Sequence, residues 1–269
     1  MLLKELPDDC FMEAILEGAF QAGQSKNPIR GNLCAAALRE ATGHVLHSLA
    51  PDGKVSNCIW YKKEPNTHSP TRQQRATYIV QGGLPVEFVM KTLELDHKAV
   101  CGPLIKAMDA LNRATHVREE TILDDDKEIR ALVDDALDGL LDLFKAARQC
   151  QQELHGALAN EIHDAVLDAF LSETLQELDE LSTHTRFDEH VVDGVDVMSI
   201  DDRFITFKAR GTVCVQLQYG SDSDVRNDIG AVMSASFPFT ALMKSKAQSP
   251  KDIIQDDVDV SVNTERFYE

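Results

Sequence analysis

Residues 204–219, with the sequence FITFKARGTVCVQLQY, decide the fold of the C-terminal third of the chain. In the runs 204–207 and 213–219 apolar and polar side chains alternate, which is the pattern of a strand with one buried face. Arg210-Gly211 between the runs predicts a turn, and Asp201-Asp202 before them predicts another. Such short connections favour antiparallel hairpins over crossovers.

The same period of two continues on both sides of this stretch. Val191, Val195 and Val197 predict a strand before it, and the segments 237–243 and 258–262 predict two strands after it. We therefore expect a small antiparallel β-sheet domain over residues 183–269.

Before this domain the apolar side chains recur with the period of an α-helix. Phe11, Ile15, Leu16 and Phe20 form a stripe that predicts a core-facing helix over residues 9–22. Further helices are predicted over 30–49, 70–81, 85–95, 99–115, 123–158 and 160–181. The predicted fold class is α+β, with a helical domain over residues 1–182 followed by the sheet domain.

Prolines and glycines predict the breaks between these helices. Pro51-Asp52-Gly53 predicts a turn, and residues 54–68 predict an extended segment and a loop. Pro70 suits the first position of the 70–81 helix, and Gly82-Gly83 suits its end.

The charge of the chain is divided unevenly. Residues 26–118 hold 13 Lys and Arg against 7 Asp and Glu, whereas residues 119–269 hold 13 against 33. Such asymmetry predicts that the basic segment 26–118 meets an anionic partner. The net charge of −18 argues against non-specific nucleic-acid binding by the whole surface.

Cationic side chains and one tryptophan are interleaved in the basic segment. Guanidinium groups and lysines bind phosphates, and an exposed indole stacks on an unpaired base. The residues predicted to bind nucleic acid are Arg30, Trp60, Lys62, Lys63, Arg72, Arg75 and Arg118. The alternative is that Trp60 lies in the core and that the cations pair with acidic side chains of the same chain.

Arg39, Glu40 and His44 lie on one predicted helix and suggest acid–base chemistry. Glu40 and His44 share a face at a spacing of four, and His47 follows on that face at seven, whereas Arg39 lies about 140° from His44. In the functional interpretation His44 is a general acid or base oriented by Glu40, and Arg39 stabilises a phosphoryl oxyanion. In the alternative, Glu40 and His44 form an ordinary surface ion pair.

His116 is a further catalytic candidate at the end of a predicted helix. It could pair with Glu119 or Glu120 and supply an acid–base group beside Arg118. The alternative is that His116 is favoured at this position by the helix dipole.

Asp222 and Asp224 follow the 213–219 strand within the stretch GSDSDVRND. Carboxylates at this spacing suggest a Mg²⁺ site or an acidic metal-dependent nuclease centre. Aspartate and serine also dominate ordinary turns, because their side chains bond nearby backbone N–H groups. Both interpretations are open at this point.

The sequence resembles the predicted pPIWI-associating nucleases, bacterial proteins linked to prokaryotic Argonaute-type and other antiphage systems. The stretches that carry the resemblance include NPIR at 27–30, WYK at 60–62, RQQR at 72–75, THVRE at 115–119 and LQYGSDSDVR at 217–226. The resemblance implies nuclease activity and a partner protein in a defence system.

Arg39 and His44 are also similar to the signature of HEPN ribonucleases, an arginine followed after four to six residues by a histidine. Glu40 stands where that family has Asn, Asp or His. The similarity implies a homodimer whose paired Arg and His cleave RNA without a metal.

The expected function is an antiphage-defence component that binds nucleic acid or a nucleotide and cleaves it, RNA being favoured. The alternative is a non-enzymatic adaptor that binds a partner effector. The six scattered cysteines predict a reducing cytoplasm, and no run of about 18 apolar residues predicts a membrane span.

Overall fold

A computed structural model describes residues 10–172 and 176–268. Helices precede an antiparallel five-stranded sheet, which confirms the predicted α+β class. The chain folds into two compact units, residues 1–151 and 152–269. The predicted domain boundary at 182/183 lies between α9 and β1, where the helices end and the strands begin.

The first unit contains the helices up to the long seventh helix, which continues into the second unit. Their bounds are α1 (Cys10–Gln24), α2 (Arg30–Leu49), α3 (Asp52–Asn57), α4 (Arg72–Gln81), α5 (Val86–Lys91), α6 (His97–Thr115) and α7 (Asp126–Ala157), with a 3₁₀ turn at Glu119–Thr121. Small residues line the contact between α6 and α7. A β-carbon at Gly139 would lie only 2.8 Å from the Cα atom of Leu104, so these two helices pack at close range.

The apolar stripe predicted for α1 does not face the core. Met12 and Ala19 are the buried side chains of this helix, whereas Phe11 is 53% exposed and Phe20 is 61% exposed. Small side chains allow closer approach to α2, since Ala19 packs against Cys34, Ala35 and Leu38. Of the predicted stripe, Ile15 and Leu16 are half-buried, whereas the rings of Phe11 and Phe20 lie outside the core.

The predicted turn at residues 51–53 and the extended segment that follows it were also wrong in part. Pro51 is the N-cap of the short helix α3, so residues 54–57 are helical. Pro70 precedes α4, and Thr71 caps that helix in a reciprocal capping box with Gln74. Gly82 ends α4 with a φ of 55°, in agreement with the predicted helix end.

One buried asparagine joins α2 to the connection between α6 and α7. The Nδ2 atom of Asn32 donates to the carbonyl oxygens of Ala114 and Thr121, each at 2.7 Å, and its Oδ1 atom accepts from the backbone N–H of Leu123 at 3.1 Å. Because Asn32 is 2% exposed, these bonds satisfy its polar atoms without water.

The second unit contains α8 (Ala159–Ser172), α9 (Gln176–Asp179) and the sheet. The strands are β1 (His184–Ile200), β2 (Phe204–Tyr219), β3 (Ala231–Lys246), β4 (Ser249–Ile253) and β5 (Asp259–Val262), with α10 (Asp222–Arg226) between β2 and β3. The order is β1-β2-β3-β4, and β5 also pairs with β3. Two short 3₁₀ turns, Gln255–Asp257 and Glu265–Tyr268, complete the unit.

The predicted turn at Arg210-Gly211 was wrong, because both residues lie inside the continuous strand β2. Gly211 pairs with Phe239 across the sheet. A β-carbon at Gly211 would collide with the carbonyl oxygen of Val191 and lie 2.7 Å from the Cε1 atom of the Phe239 ring. This glycine is required by close packing rather than by a turn. The turn predicted at Asp201-Asp202 does join β1 to β2.

Alternation along β2 defines the buried face of the sheet. Ile205, Phe207, Val213 and Leu217 point inward and are buried. Phe170 of α8 meets the ring of Phe239 edge-on at 5.2 Å, so this helix packs on the sheet. Throughout the described ranges, every helix is too short or too polar to span a bilayer.

Candidate functional site

A cleft of about 410 Å³ in the first unit brings together charged side chains from separate helices. We call it the α2 cleft, because α2 supplies much of its lining. It is lined by Phe11, Arg39, Glu40, Gly43, His44, Leu46, His47, Arg72, Arg75 and Met108. Three guanidinium groups and two imidazoles therefore face one concavity.

Helical spacing accounts for the α2 contribution. Glu40, His44 and His47 follow one another at spacings of four and three, so they lie on one face of the helix. Arg39 projects from a neighbouring position but reaches the same cleft through its long side chain. The predicted pairing of Arg39 with His44 in one site thus agrees with the cleft, although the two residues do not share a helical face.

The guanidinium of Arg39 is oriented by two acceptors. Its Nε and Nη2 atoms donate to Oε1 of Glu40 at 3.1 and 2.5 Å, and its Nη1 atom donates to Oγ1 of Thr115 at 3.2 Å. Its side chain remains 33% exposed. Glu40 therefore holds Arg39 directly.

Arg72 enters the cleft from the first position of α4. Its Nη2 atom lies 3.4 Å from Oδ1 of Asn112, and its Nη1 atom lies 3.9 Å from Oδ1 of Asp109. With the Asn112 side-chain amide turned over, its oxygen accepts from both terminal nitrogens of Arg72, at 2.9 and 3.2 Å, so the long contact is the one to Asp109. The Arg72 side chain is 39% exposed, and an incoming anion can replace Asp109 there.

Arg75 lies one helical turn further along α4 and is buried. Its guanidinium donates to the carbonyl oxygen of Ala50 and to Oδ1 of Asp52, both at 2.5 Å, while only 2% of the side chain is exposed. The hydrogen bond from Arg75 holds the pKa of Asp52 below its usual value. Arg75 is thus a fixed positive charge at the cleft wall rather than a surface contact.

His47 is the cleft residue that was absent from the predicted catalytic set. The ring is exposed at the cleft, but the surrounding protein displaces part of its water, and this desolvation lowers the pKa of His47. The positive charge of Arg75 lowers it further, whereas Asp52 acts in the opposite direction. His47 is therefore held neutral near pH 7, as a proton acceptor must be. In the sequence, His47 follows His44 by one helical turn, and this spacing could have indicated that both histidines line the same site.

Phe11 and Gly43 complete the cleft at its apolar side. The Phe11 ring meets the His44 ring edge-on, with centroids 4.9 Å apart. A β-carbon at Gly43 would have no heavy atom within 4 Å, so the missing side chain leaves open space beside the histidines. The exposed phenyl ring offers a surface on which an aromatic base can stack.

The other predicted nucleic-acid-binding residues lie outside the lining of the α2 cleft. Arg30 pairs with Asp126 at 2.6 Å, and Arg118 lies 3.9 Å from Glu120. Lys62 and Lys63 are exposed on the 58–71 connection. His116 is exposed at the end of α6, next to the Thr115 hydroxyl that accepts from Arg39.

Trp60 supports the packing of the segment around α3 and α4. Its indole Nε1 donates to the carbonyl oxygen of Gly82 at 2.8 Å, and its ring packs against the cluster that contains Val55, Cys58 and Tyr78. The indole is thus partly buried and packs against this cluster.

Asp222 and Asp224 in the second unit are engaged by protein donors. Asp224 accepts from the backbone N–H and the hydroxyl of Ser221 at 2.8 and 2.7 Å, and Asp222 accepts from Nε2 of Gln218 at 2.9 Å. These bonds lower the pKa of both carboxyl groups. In residues 10–172 and 176–268 no three His, Cys, Asp or Glu side chains are grouped to hold a metal ion. The contacts of Asp224 with Ser221 form the reciprocal capping box at the start of α10.

Comparison with known proteins links both parts of the chain to one family. A family model described as predicted pPIWI-associating nuclease matches residues 3–140, and a second model with the same description matches residues 147–268. No curated protein and no solved structure matches the chain. The first match contains every residue of the α2 cleft, and the two matches together span almost the whole sequence. The chain therefore belongs to the predicted pPIWI-associating nucleases.

Proposed function

We propose that the protein binds single-stranded RNA in the α2 cleft and cleaves it by acid–base catalysis without a metal ion. The observation that carries this proposal is the convergence of Arg39, Arg72 and Arg75 with His44 and His47 on one cleft. Guanidinium groups bind phosphoryl oxygens, and histidines transfer protons near neutral pH.

Phosphate binding in this proposal uses the two partly exposed arginines. The scissile phosphate replaces Glu40 at Arg39 and replaces Asp109 at Arg72, since both carboxylates are exposed. Arg75 keeps its buried contacts and adds positive potential at the cleft wall. The cleft has a volume of about 410 Å³, which falls within the range of pockets that bind small molecules.

Proton transfer in this proposal uses the two histidines of α2. Neutral His47 takes the proton of the ribose 2′-hydroxyl, whose oxygen forms a bond to phosphorus while the bond from phosphorus to the 5′ oxygen breaks. Protonated His44 gives its proton to the leaving 5′ oxygen, and Arg39 and Arg72 stabilise the charge on the phosphoryl oxygens. The reaction needs the 2′-hydroxyl, so RNA is the substrate rather than DNA.

The biological setting follows from the family description. Its name associates these nucleases with a pPIWI protein, and we propose such a protein as the partner of this chain in an antiphage system. The reducing cytoplasm remains the expected compartment, which suits the six free thiols.

A cleavage assay tests this proposal. Labelled single-stranded RNA and DNA are incubated with the full chain, in Mg²⁺ or in chelator. We expect RNA cleavage that survives the chelator and falls by about 10²–10⁴-fold in His47→Ala and in His44→Ala. His68→Ala removes an exposed histidine outside the cleft and serves as the matched control.

Three results would count against the proposal. Cleavage that requires Mg²⁺ and is unaffected by both α2 variants would place the active site elsewhere. Cleavage that is lost in His116→Ala alone would move the catalytic role to the end of α6. A protein that neither binds nor cleaves RNA would favour the adaptor, whose partner-binding surface would be the acidic part of the chain.

A further inference from the structure

A second and larger cavity opens in the first unit between α1, α2 and α7. We call it the apolar groove; its volume is about 690 Å³, and its walls include Leu16, Phe20, Leu38, Ile129 and Val133. Pockets that bind small molecules have volumes of about 300–1,000 Å³ and mostly apolar walls with a few polar groups. The groove has this size and composition.

Two arginines, Arg30 and Arg130, lie at the groove. Arg30 pairs with Asp126 at 2.6 Å and also donates to the carbonyl oxygens of Gly23 and Asp124. Arg130 is exposed, and within the described part of the chain its side chain forms no ion pair or hydrogen bond. The groove thus offers an apolar wall beside the exposed guanidinium of Arg130.

We propose that the apolar groove binds an amphiphile with an apolar chain and a single anionic head group. The head group pairs with Arg130, and the chain lies against Leu38, Ile129 and Val133. Binding covers the ring of Phe20, which otherwise exposes 61% of its surface to water. The sign of the head group follows from the guanidinium, because a cationic head would be repelled there.

The groove and the α2 cleft share two helices. α1 supplies Phe11 to the cleft and Phe20 to the groove, while α2 supplies Leu38 to the groove and Arg39 to the cleft. A ligand that contacts α1, α2 and α7 together holds α1 on α2 and keeps Phe11 against His44. This coupling to cleavage rests on the proposed function, whereas the binding itself does not.

Calorimetric titration of the full chain without nucleic acid tests the site. The probes are dodecanoate and dodecylammonium, which share a chain length and differ in the charge of the head group, each below its micelle-forming concentration. We expect saturable binding of one dodecanoate and at least about tenfold weaker binding of dodecylammonium. Arg130→Gln should weaken dodecanoate binding by about five- to tenfold.

Two further variants make the test specific. Lys127→Gln removes the same charge from the same helix outside the groove, and its affinity should stay within about twofold of the wild type. Gly23→Leu places an apolar side chain at the groove and should weaken dodecanoate binding by at least about tenfold; its β-carbon meets Cys34 at an ordinary contact distance of 3.6 Å. Circular dichroism establishes that each variant is folded.

Absence of dodecanoate binding, equal affinity for the two amphiphiles, or equal losses in Arg130→Gln and Lys127→Gln would overturn the proposal. Unchanged binding in a folded Gly23→Leu protein would also overturn it. These titrations contain no RNA. Their results therefore do not depend on whether the proposed cleavage mechanism is correct.

Discussion

The guanidinium of Arg75 is buried and donates across 2.5 Å to the carboxylate of Asp52, beside the cleft that also contains His47. This pair connects α4 to the start of α3 and holds the Arg75 guanidinium at the cleft wall. The same charge helps to keep His47 neutral. The contact between Arg75 and Asp52 therefore packs α4 against α3, and it also contributes to the pKa of His47, on which the proposed proton transfer depends.

Replacing Arg75 should destabilise the first unit far more than replacing Arg72. Arg75→Met leaves the buried carbonyl oxygen of Ala50 without its donor and should lower the free energy of unfolding by about 2–4 kcal/mol. Arg72→Met removes a partly exposed group and should cost at most about 1 kcal/mol. Urea unfolding followed by the fluorescence of Trp60, the single tryptophan, measures both. Equal losses would contradict the structural role of Arg75.

The lowered pKa of His47 predicts a loss of stability in mild acid. A histidine whose pKa is lower in the folded state binds protons more readily when unfolded, so its contribution is complete above the unfolded pKa of about 6.5 and is lost as the pH falls below it. His47→Gln should therefore flatten the change in unfolding free energy between about pH 7 and pH 5. An unchanged pH profile in this variant would contradict the assignment.

Asp52 should act in a separate and lower pH window. Its pKa is held down by Arg75, so its contribution is present above the unfolded pKa of about 3.9 and is lost as the pH falls through the folded value. Asp52→Asn should lower stability at neutral pH and remove part of the loss below about pH 4. Acid titration of both proteins, followed by Trp60 fluorescence, measures the difference. If Asp52→Asn and the wild type lost stability identically as the pH fell, the result would contradict the proposed contribution of Asp52.

Gly43→Ala should separate stability from RNA binding. The added methyl group meets no atom within 4 Å, and alanine favours the helix by about 0.5–1 kcal/mol, so the protein should become more stable. The methyl group also projects into the α2 cleft and should weaken RNA binding. Gly18→Ala in α1 is the matched control, because it also has open space but does not line the cleft. Gly18→Ala should add stability without changing the affinity for RNA. If both variants changed the affinity for RNA equally, the result would contradict the placement of the RNA-binding site in the α2 cleft.

Gly211→Ala should destabilise the sheet. Its methyl group would press on the backbone of β1 and on the Phe239 ring, which cannot both move without disturbing the register, and we expect a loss of about 2 kcal/mol or more. Gly194→Ala on β1 adds a methyl group in open space and should have little effect. Thermal unfolding followed by circular dichroism compares the two. A stable Gly211→Ala protein would contradict the packing at this position.

Periodic segments of the sequence predicted much of the fold. The predicted helix over 30–49 has the observed bounds of α2, because apolar side chains recur along it without interruption. The antiparallel sheet was equally predictable from alternation along 204–219. Gly211 was misread because a glycine required by a neighbouring strand has the same local signal as one required by a turn.

The cleft was predictable only in part. Arg72 and Arg75 stand three residues apart with the same local composition, yet one is partly exposed and the other is buried against Ala50 and Asp52. The difference in exposure between Arg72 and Arg75 depends on contacts with residues more than 20 positions away in the chain. The hydrogen bond from Trp60 to Gly82 likewise joins residues more than 20 positions apart. The composition of the sequence indicates a basic segment. It does not indicate which cationic side chains of that segment line the same cleft.

The most direct test of the α2 cleft compares two variants that remove the same charge. Arg39→Gln/Arg72→Gln removes two cleft cations, and Lys62→Gln/Lys63→Gln removes two exposed cations outside it. The affinity for a fluorescent single-stranded RNA, methylated at its 2′-hydroxyls so that it cannot be cleaved, is measured by anisotropy at a fixed salt concentration. We predict a loss of at least about tenfold for the arginine pair and of at most about twofold for the lysine pair. Equal losses, or a greater loss for the lysine pair, would contradict a phosphate-binding role for the α2 cleft.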